Sequence, residues 1–152
     1  MSKHGFFSAL LDLIYPPRCV FCRSLLSRGE REVCNTCKAS LPYTEGASKV
    51  QTGEFFDGCW SALYYEDSVR ESILRYKFNG RTEYAKYYAK LLAEIIRENL
   101  SGKYELITWV PLSKEREKDR GYDQSMLLAM AVAVELDDVA VETLQKISNV
   151  PA

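Results

Sequence analysis

The sequence predicts an α/β protein in which a small cysteine-built module precedes the first part of a parallel sheet, and three observations carry that reading. Four of the five cysteines fall in two Cys-x-x-Cys pairs near the start of the chain. Beyond residue 55, apolar runs of strand length alternate with segments of helical period. Between the two patterns, residues 44–53 are small, polar and aperiodic, which marks a linker. The expected organisation is therefore a module at 1–43, a linker at 44–54 and an α/β domain at 55–152.

In chain order, residues 6–15 are apolar but carry Asp12, are too short to span a bilayer and lack a small-residue cleavage site. They read as an amphipathic helix packed on the module, with His4 left in a tail. Pro16 and Pro17 end that helix, because neither can supply an amide to continue it. Cys19 and Cys22 then place two thiolates on one turn, and Cys34 and Cys37 do the same after eleven intervening residues. Two such turns facing each other give the tetrahedral sulfur cage that suits zinc, in preference to disulfides or a redox dithiol. Four thiolates leave no open position for water, so the predicted zinc is structural and not hydrolytic. The short spacing needs a minimal hairpin near residues 27–30. Thiolate ligands that oxidation would destroy point to a reducing, cytoplasmic setting.

The next run, 58–65, reads as a strand with Cys59 buried in it. Ser68 and Glu71 suggest a capping box for a helix that turns Val69, Ile73 and Leu74 inward and ends at Gly80. A longer helix is expected over 82–99, with Ala85, Tyr88, Leu92, Ile95 and Ile96 inward and Lys86, Lys90, Glu94 and Arg97 outward. Residues 106–110 form an apolar, partly β-branched run that predicts a buried strand. A polar loop over 111–123 leads to a helix over 124–135 with Leu127, Leu128, Ala131 and Val134 on one side. Asp137 and Asp138 form the turn to a strand over 139–144. Strand, helix, strand in this order implies a right-handed parallel crossover.

Twenty basic residues nearly cancel twenty-one acidic ones, so no global field steers the chain to nucleic acid or membrane. Anion binding must therefore come from local clusters. The 111–123 loop is one, since it follows a strand, precedes a helix and carries Lys114, Arg116, Lys118 and Arg120. Its interleaved Glu115, Glu117 and Asp119 leave open a solvated loop whose charges pair with one another. No Ser-His-Asp set, glycine-rich phosphate loop or catalytic carboxylate pair is present to support other enzyme classes.

The ordered set Tyr15-Pro-Pro-Arg-Cys-Val-Phe-Cys22, Cys34-Asn-Thr-Cys37, Lys77-Phe-Asn-Gly80, Val110-Pro-Leu112 and Arg120-Gly-Tyr-Asp-Gln124 resembles the ComF family over nearly the whole chain. That family joins a zinc ribbon to a type I phosphoribosyltransferase domain and is associated with DNA uptake in competent bacteria. The resemblance implies that residues 111–116 occupy the pyrophosphate-contacting loop and residues 120–124 the arginine-glycine signature. It makes Ser113, Lys114, Arg116, Arg120 and Gly121 the candidate phosphate contacts, and Lys77 and Phe78 family positions. Its implied ligand is phosphoribosyl pyrophosphate or another sugar phosphate, with Mg2+ once the domain is complete.

The paired-aspartate strand and the Thr-Thr-Gly loop of that family have no counterpart here, so the chain reads as an N-terminal portion of the domain. Ribosyl transfer needs carboxylates on the two ribose hydroxyls; the chain alone is therefore expected to be inactive. It is also expected to be marginally stable or oligomeric, because an interrupted parallel sheet exposes an apolar edge. A competing reading is a binding module, in which the ribbon with Arg70, Arg75, Lys77 and Arg81, interleaved with Tyr76 and Phe78, grips single-stranded DNA. In a third, the ribbon contacts only a protein partner, such as part of a competence machinery.

Overall fold

The computed structural model describes residues 15–46 and 49–147. His4 and all but the last residue of the helix expected over 6–15 lie outside the described residues. The elements are α1 (Asn35–Ser40), β1 (Val50–Gly53), β2 (Phe56–Trp60), α2 (Asp67–Phe78), a 3-10 turn (Thr82–Tyr84) running into α3 (Ala85–Asn99), α4 (Lys114–Arg120) and α5 (Gln124–Leu136). Among the described residues no helix is long and apolar enough to cross a membrane.

The sheet differs from the one expected. β1 and β2 pair antiparallel, Val50 opposite Trp60 and Gln51 opposite Cys59. Residues 50–53 are thus strand and not aperiodic linker, and the strand expected over 58–65 runs instead from Phe56 to Trp60. The Phe56 and Trp60 rings lie over glycines: a Cβ on Gly53 would meet the Phe56 ring at 2.4 Å, and one on Gly58 the Trp60 ring at 2.3 Å, so either substitution would require the ring to shift. Cys59 is exposed on a sheet of only two strands, and this corrects the burial expected for it.

The two runs expected to form a parallel pair, 106–110 and 139–144, meet at one parallel bridge, Ile107 opposite Ala140. The Val141 amide donates to the Ile107 carbonyl at 2.9 Å. Thr108 and Thr143 share a hydroxyl hydrogen bond of 2.8 Å. The direction is the one predicted for the crossover, but neither run is a buried strand: Leu106 is 48% exposed and Val110 73%. Parallel pairing holds when both faces are covered, and among the described residues neither run gains a second neighbour. Asp137, left-handed at φ 56°, makes the turn expected between helix and bridge.

The helices follow their sequence patterns more closely. α2 buries Val69, Ser72 and Tyr76 along one stripe. Its predicted capping box does not form, because the N-cap is Glu66 and Ser68 already lies inside the helix. α3 buries Ala85, Tyr88, Ala89, Ala93 and Ile95, with Lys86, Glu94 and Arg97 outward. Lys90 is only half-exposed, for it reaches Glu32 at 2.8 Å. α3 packs on α5, and Ala89 and Ala93 on the one and Ala129, Val132 and Ala133 on the other are buried. Val134, expected inward, is 80% exposed. α5 is apolar almost all round, so its periodicity could not choose a face.

The cysteine module and the helices share one core. Cys19, Val20, Phe21, Val33, Cys34 and Leu41 cluster with Val69, Tyr76, Tyr84, Ala85 and Tyr88. Phe21 meets Tyr87 edge-on at 5.6 Å and Tyr88 at 6.5 Å.

Candidate functional site

The two Cys-x-x-Cys turns face each other as the sequence predicts. The sulfurs of Cys19, Cys22, Cys34 and Cys37 all lie within 4.8 Å of one another. Those of Cys22 and Cys34 are 3.7 Å apart, close to the edge of roughly 3.8 Å that a tetrahedron with Zn–S bonds of about 2.3 Å requires. The first turn is closed by the Cys19 amide on the Ser24 carbonyl at 2.9 Å and the Arg23 amide on the Cys19 carbonyl at 3.0 Å. The second is closed because Cys34 caps α1, its sulfur accepting from the Cys37 amide at 3.4 Å. The Cys34 amide in turn donates to the Cys19 sulfur at 3.5 Å. Such N–H···S contacts orient thiolates and offset their charge.

Between the pairs, the Glu30 carboxylate accepts from the amides of Ser27 and Asn35, each at 2.7 Å, which locks the predicted hairpin. A hydrogen bond with the Ser24 hydroxyl, 3.0 Å away, holds the Cys22 thiol down at about 6. Burial, then the neighbouring sulfurs, push that of Cys37 up. Metal binding draws on thiolates, and a divalent ion held between the four sulfurs would offset their mutual repulsion. Four soft donors with no open position fit structural zinc.

α2 anchors this centre. Val20 and Phe21, the residues inside the first pair, offer their carbonyls to it. The Val20 carbonyl accepts from the Ser72 hydroxyl at 2.8 Å and from Arg75 at 3.1 Å, and the Phe21 carbonyl from Arg75 at 2.6 Å. Ser72 also shares a 2.6 Å hydrogen bond with Tyr88, whose hydroxyl burial raises to about 12. On the far side, Glu32 meets Lys90 at 2.8 Å and Lys86 at 3.9 Å. Burial would raise the Glu32 carboxyl, but Lys90 and Lys86 outweigh it and the net direction is down. A depressed folded value means that this contribution is present above the ordinary carboxylate value and lost as pH falls through the folded one. The melting temperature should accordingly fall as the pH drops below the ordinary carboxylate value, and Glu32→Gln should flatten part of that fall.

The candidate phosphate residues lie on and around α4, which replaces the loop expected over 111–123. Ser113 is its N-cap, accepting from the Arg116 amide at 3.3 Å. Lys114 is exposed and Arg116 half-buried. Arg120 lies with its guanidinium 4.7 Å over the Phe78 ring, and Gly121 ends the helix left-handed at φ 80°. The structure therefore places the five residues on one short helix and its two caps, with Arg120 meeting the end of α2.

What fixes that segment is Asp123, which sequence reasoning gave no role of its own. Its carboxylate accepts from the amides of Leu112, Ser125 and Met126 at 2.7, 2.8 and 3.0 Å, tying both ends of the segment together while capping α5. An aspartate ahead of an apolar helical run was the signal available. Asp123→Ala should cost about 1–2 kcal/mol from the lost cap, and more if the Leu112 amide stays buried and unpaired. Urea unfolding measures the loss, and amide exchange over 112–126 locates it.

Of the candidate nucleic-acid residues, Arg75 is engaged by the ribbon carbonyls, and Tyr76 is buried with its hydroxyl donating to the Gln124 carbonyl at 2.7 Å. Arg81 pairs with Glu83 at 3.6 Å. Lys77 lies beside Phe78, which is 60% exposed. The structure does not bring these residues into one open surface.

A double zinc ribbon domain model matches residues 10–50, the segment that holds the sulfur cage. The Competence protein ComFC of Bacillus subtilis (strain 168) is 27% identical over 120 residues, 73% of this chain. Together these matches support assignment to the ComF family. The chain spans about half, 49%, of the length of that curated relative. No solved structure matches.

Proposed function

We propose that this ComF-like chain uses a structural zinc ribbon to brace a loop that binds the phosphates of a phosphorylated sugar, in a cytoplasmic protein linked to competence and DNA uptake. The observation that carries the reading is the double duty of α2. Ser72 and Arg75 hold the ribbon carbonyls, and one turn on, Tyr76 holds Gln124 and Phe78 carries Arg120. Ribbon and α4 segment thus hang on one rigid element; in this reading the ribbon occupies 1–43, the connection 44–54 contributes the strand Val50–Gly53, and the transferase-like region is 55–152.

In this reading Ser113 and Gly121 shape α4, and Lys114, Arg116 and Arg120 offset phosphate charge. Mg2+ would bridge a pyrophosphate only where the ribose carboxylates of a complete domain are also present. The test is calorimetry with phosphoribosyl pyrophosphate, with and without magnesium. Binding that Lys114→Ala with Arg116→Ala removes is the expected result; binding indifferent to both refutes it. No ribosyl transfer is expected from this chain alone, and pyrophosphate release above a blank would refute that part.

A zinc-ribbon module for single-stranded nucleic acid or a protein partner is the second reading, and the exposed Phe78 beside Lys77 is what favours it. Oligonucleotide binding that steepens with falling salt and weakens in Lys77→Ala would support it.

A further inference from the structure

We propose that the cleft between the ribbon and the start of α3 is a second anion site, one that takes a linear chain of phosphate groups. The cleft is about 990 Å³. Arg18, Arg23 and Arg31 line it from the ribbon, and Arg81 and Lys86 from the 3-10 turn and the first turn of α3. Five cations against two carboxylates, Glu32 and Glu83, leave three positive charges in one cleft, on a chain whose formal charge is −1. Charge of one sign concentrated in a concave site raises the local concentration of the opposite ion.

The carboxylates do not quench this field. Glu32 is matched by Lys90 at 2.8 Å, a residue outside the cleft lining, which leaves Lys86 only loosely engaged at 3.9 Å. Glu83 answers Arg81 alone, at 3.6 Å. Among the described residues Arg23 and Arg31 have no carboxylate within ion-pair distance. Arg18 is held in place by donating to the Arg23 carbonyl at 3.0 Å.

Guanidinium groups suit phosphate, because their planar forks meet two oxygens at once. Five cations from two parts of the chain lining a cleft this size fit several linked phosphates better than one. None of these residues belongs to the segment around α4, so this site is independent of the sugar-phosphate reading.

The experiment is calorimetric titration of the zinc-loaded chain with inorganic tripolyphosphate and, separately, with a short oligothymidylate, at low and moderate salt. Binding of at least one is expected, weakening as salt rises. Arg18→Glu with Arg31→Glu should weaken it roughly tenfold or more while zinc stays bound. Arg31→Glu alone, at an exposed position, gives a smaller loss in the same direction should the double variant fold poorly. Tripolyphosphate binding shows that free phosphates suffice, and oligothymidylate binding alone assigns the site to a phosphodiester backbone. No binding of either at low salt, or affinity unchanged in both variants, overturns the proposal. If Lys114→Ala with Arg116→Ala abolishes binding and the cleft variants do not, this site falls and the α4 reading stands.

Discussion

Replacing Cys19 with serine is expected to release zinc and unfold the ribbon. A hydroxyl is a poor ligand for zinc, and the three remaining thiolates lose both the fourth donor and a buried sulfur that accepts from the Cys34 amide. Structural zinc in small folds contributes about 10 kcal/mol or more to apparent stability, so losing it should dominate any other single change. The damage will not stay local, because Cys19, Val20 and Phe21 are at most 3% exposed and belong to the same core as α2 and α3. The expected result is a zinc content well below one ion per chain, together with loss of cooperative melting by near-ultraviolet dichroism. A chelator should reproduce it on the unaltered chain. A cysteine variant that keeps its full melting temperature without metal would contradict the assignment of the cage.

The second large effect is Phe21→Ala. Phe21 sits between two zinc ligands, is 1% exposed and meets the rings of Tyr87 and Tyr88. Removing a buried ring of this kind costs about 3–5 kcal/mol, the lower end applying where neighbours collapse into the space. The zinc ligands are untouched, so metal content should stay near one ion per chain while the urea midpoint falls. This combination separates Phe21 from Cys19: one change removes the ion, the other loosens what the ion is fastened to. Equal zinc loss in both variants would show that the ribbon cannot close without its packing partner.

Much of the site was legible from spacing. Four cysteines in two short-range pairs fix which sulfurs meet, since each pair is local and only one closure remains. α3 was legible too, because Lys86, Glu94 and Arg97 mark its wet side without help from any neighbour. Where a segment carries no polar contrast, the prediction failed. Val134 in α5 was assigned to the wrong face, and 106–110 became an open run with one bridge because apolar content does not create a strand's neighbours. Arg75 gave no sign of its role: a cation at a helix end looks the same whether it faces water or two carbonyls fifty residues earlier in the chain.

The sequence by itself determined the two thiolate turns that make the sulfur cage and the period of the long helix, each of which depends on residues within a turn or two of each other. Only the tertiary structure decided that the ribbon shares its core with the helices, that α2 ties the cage to the segment around α4, and that basic residues distant in the chain line one cleft. Those outcomes rest on contacts between segments far apart in sequence, whose energy exists only once the chain has closed and which leave no periodic trace along it.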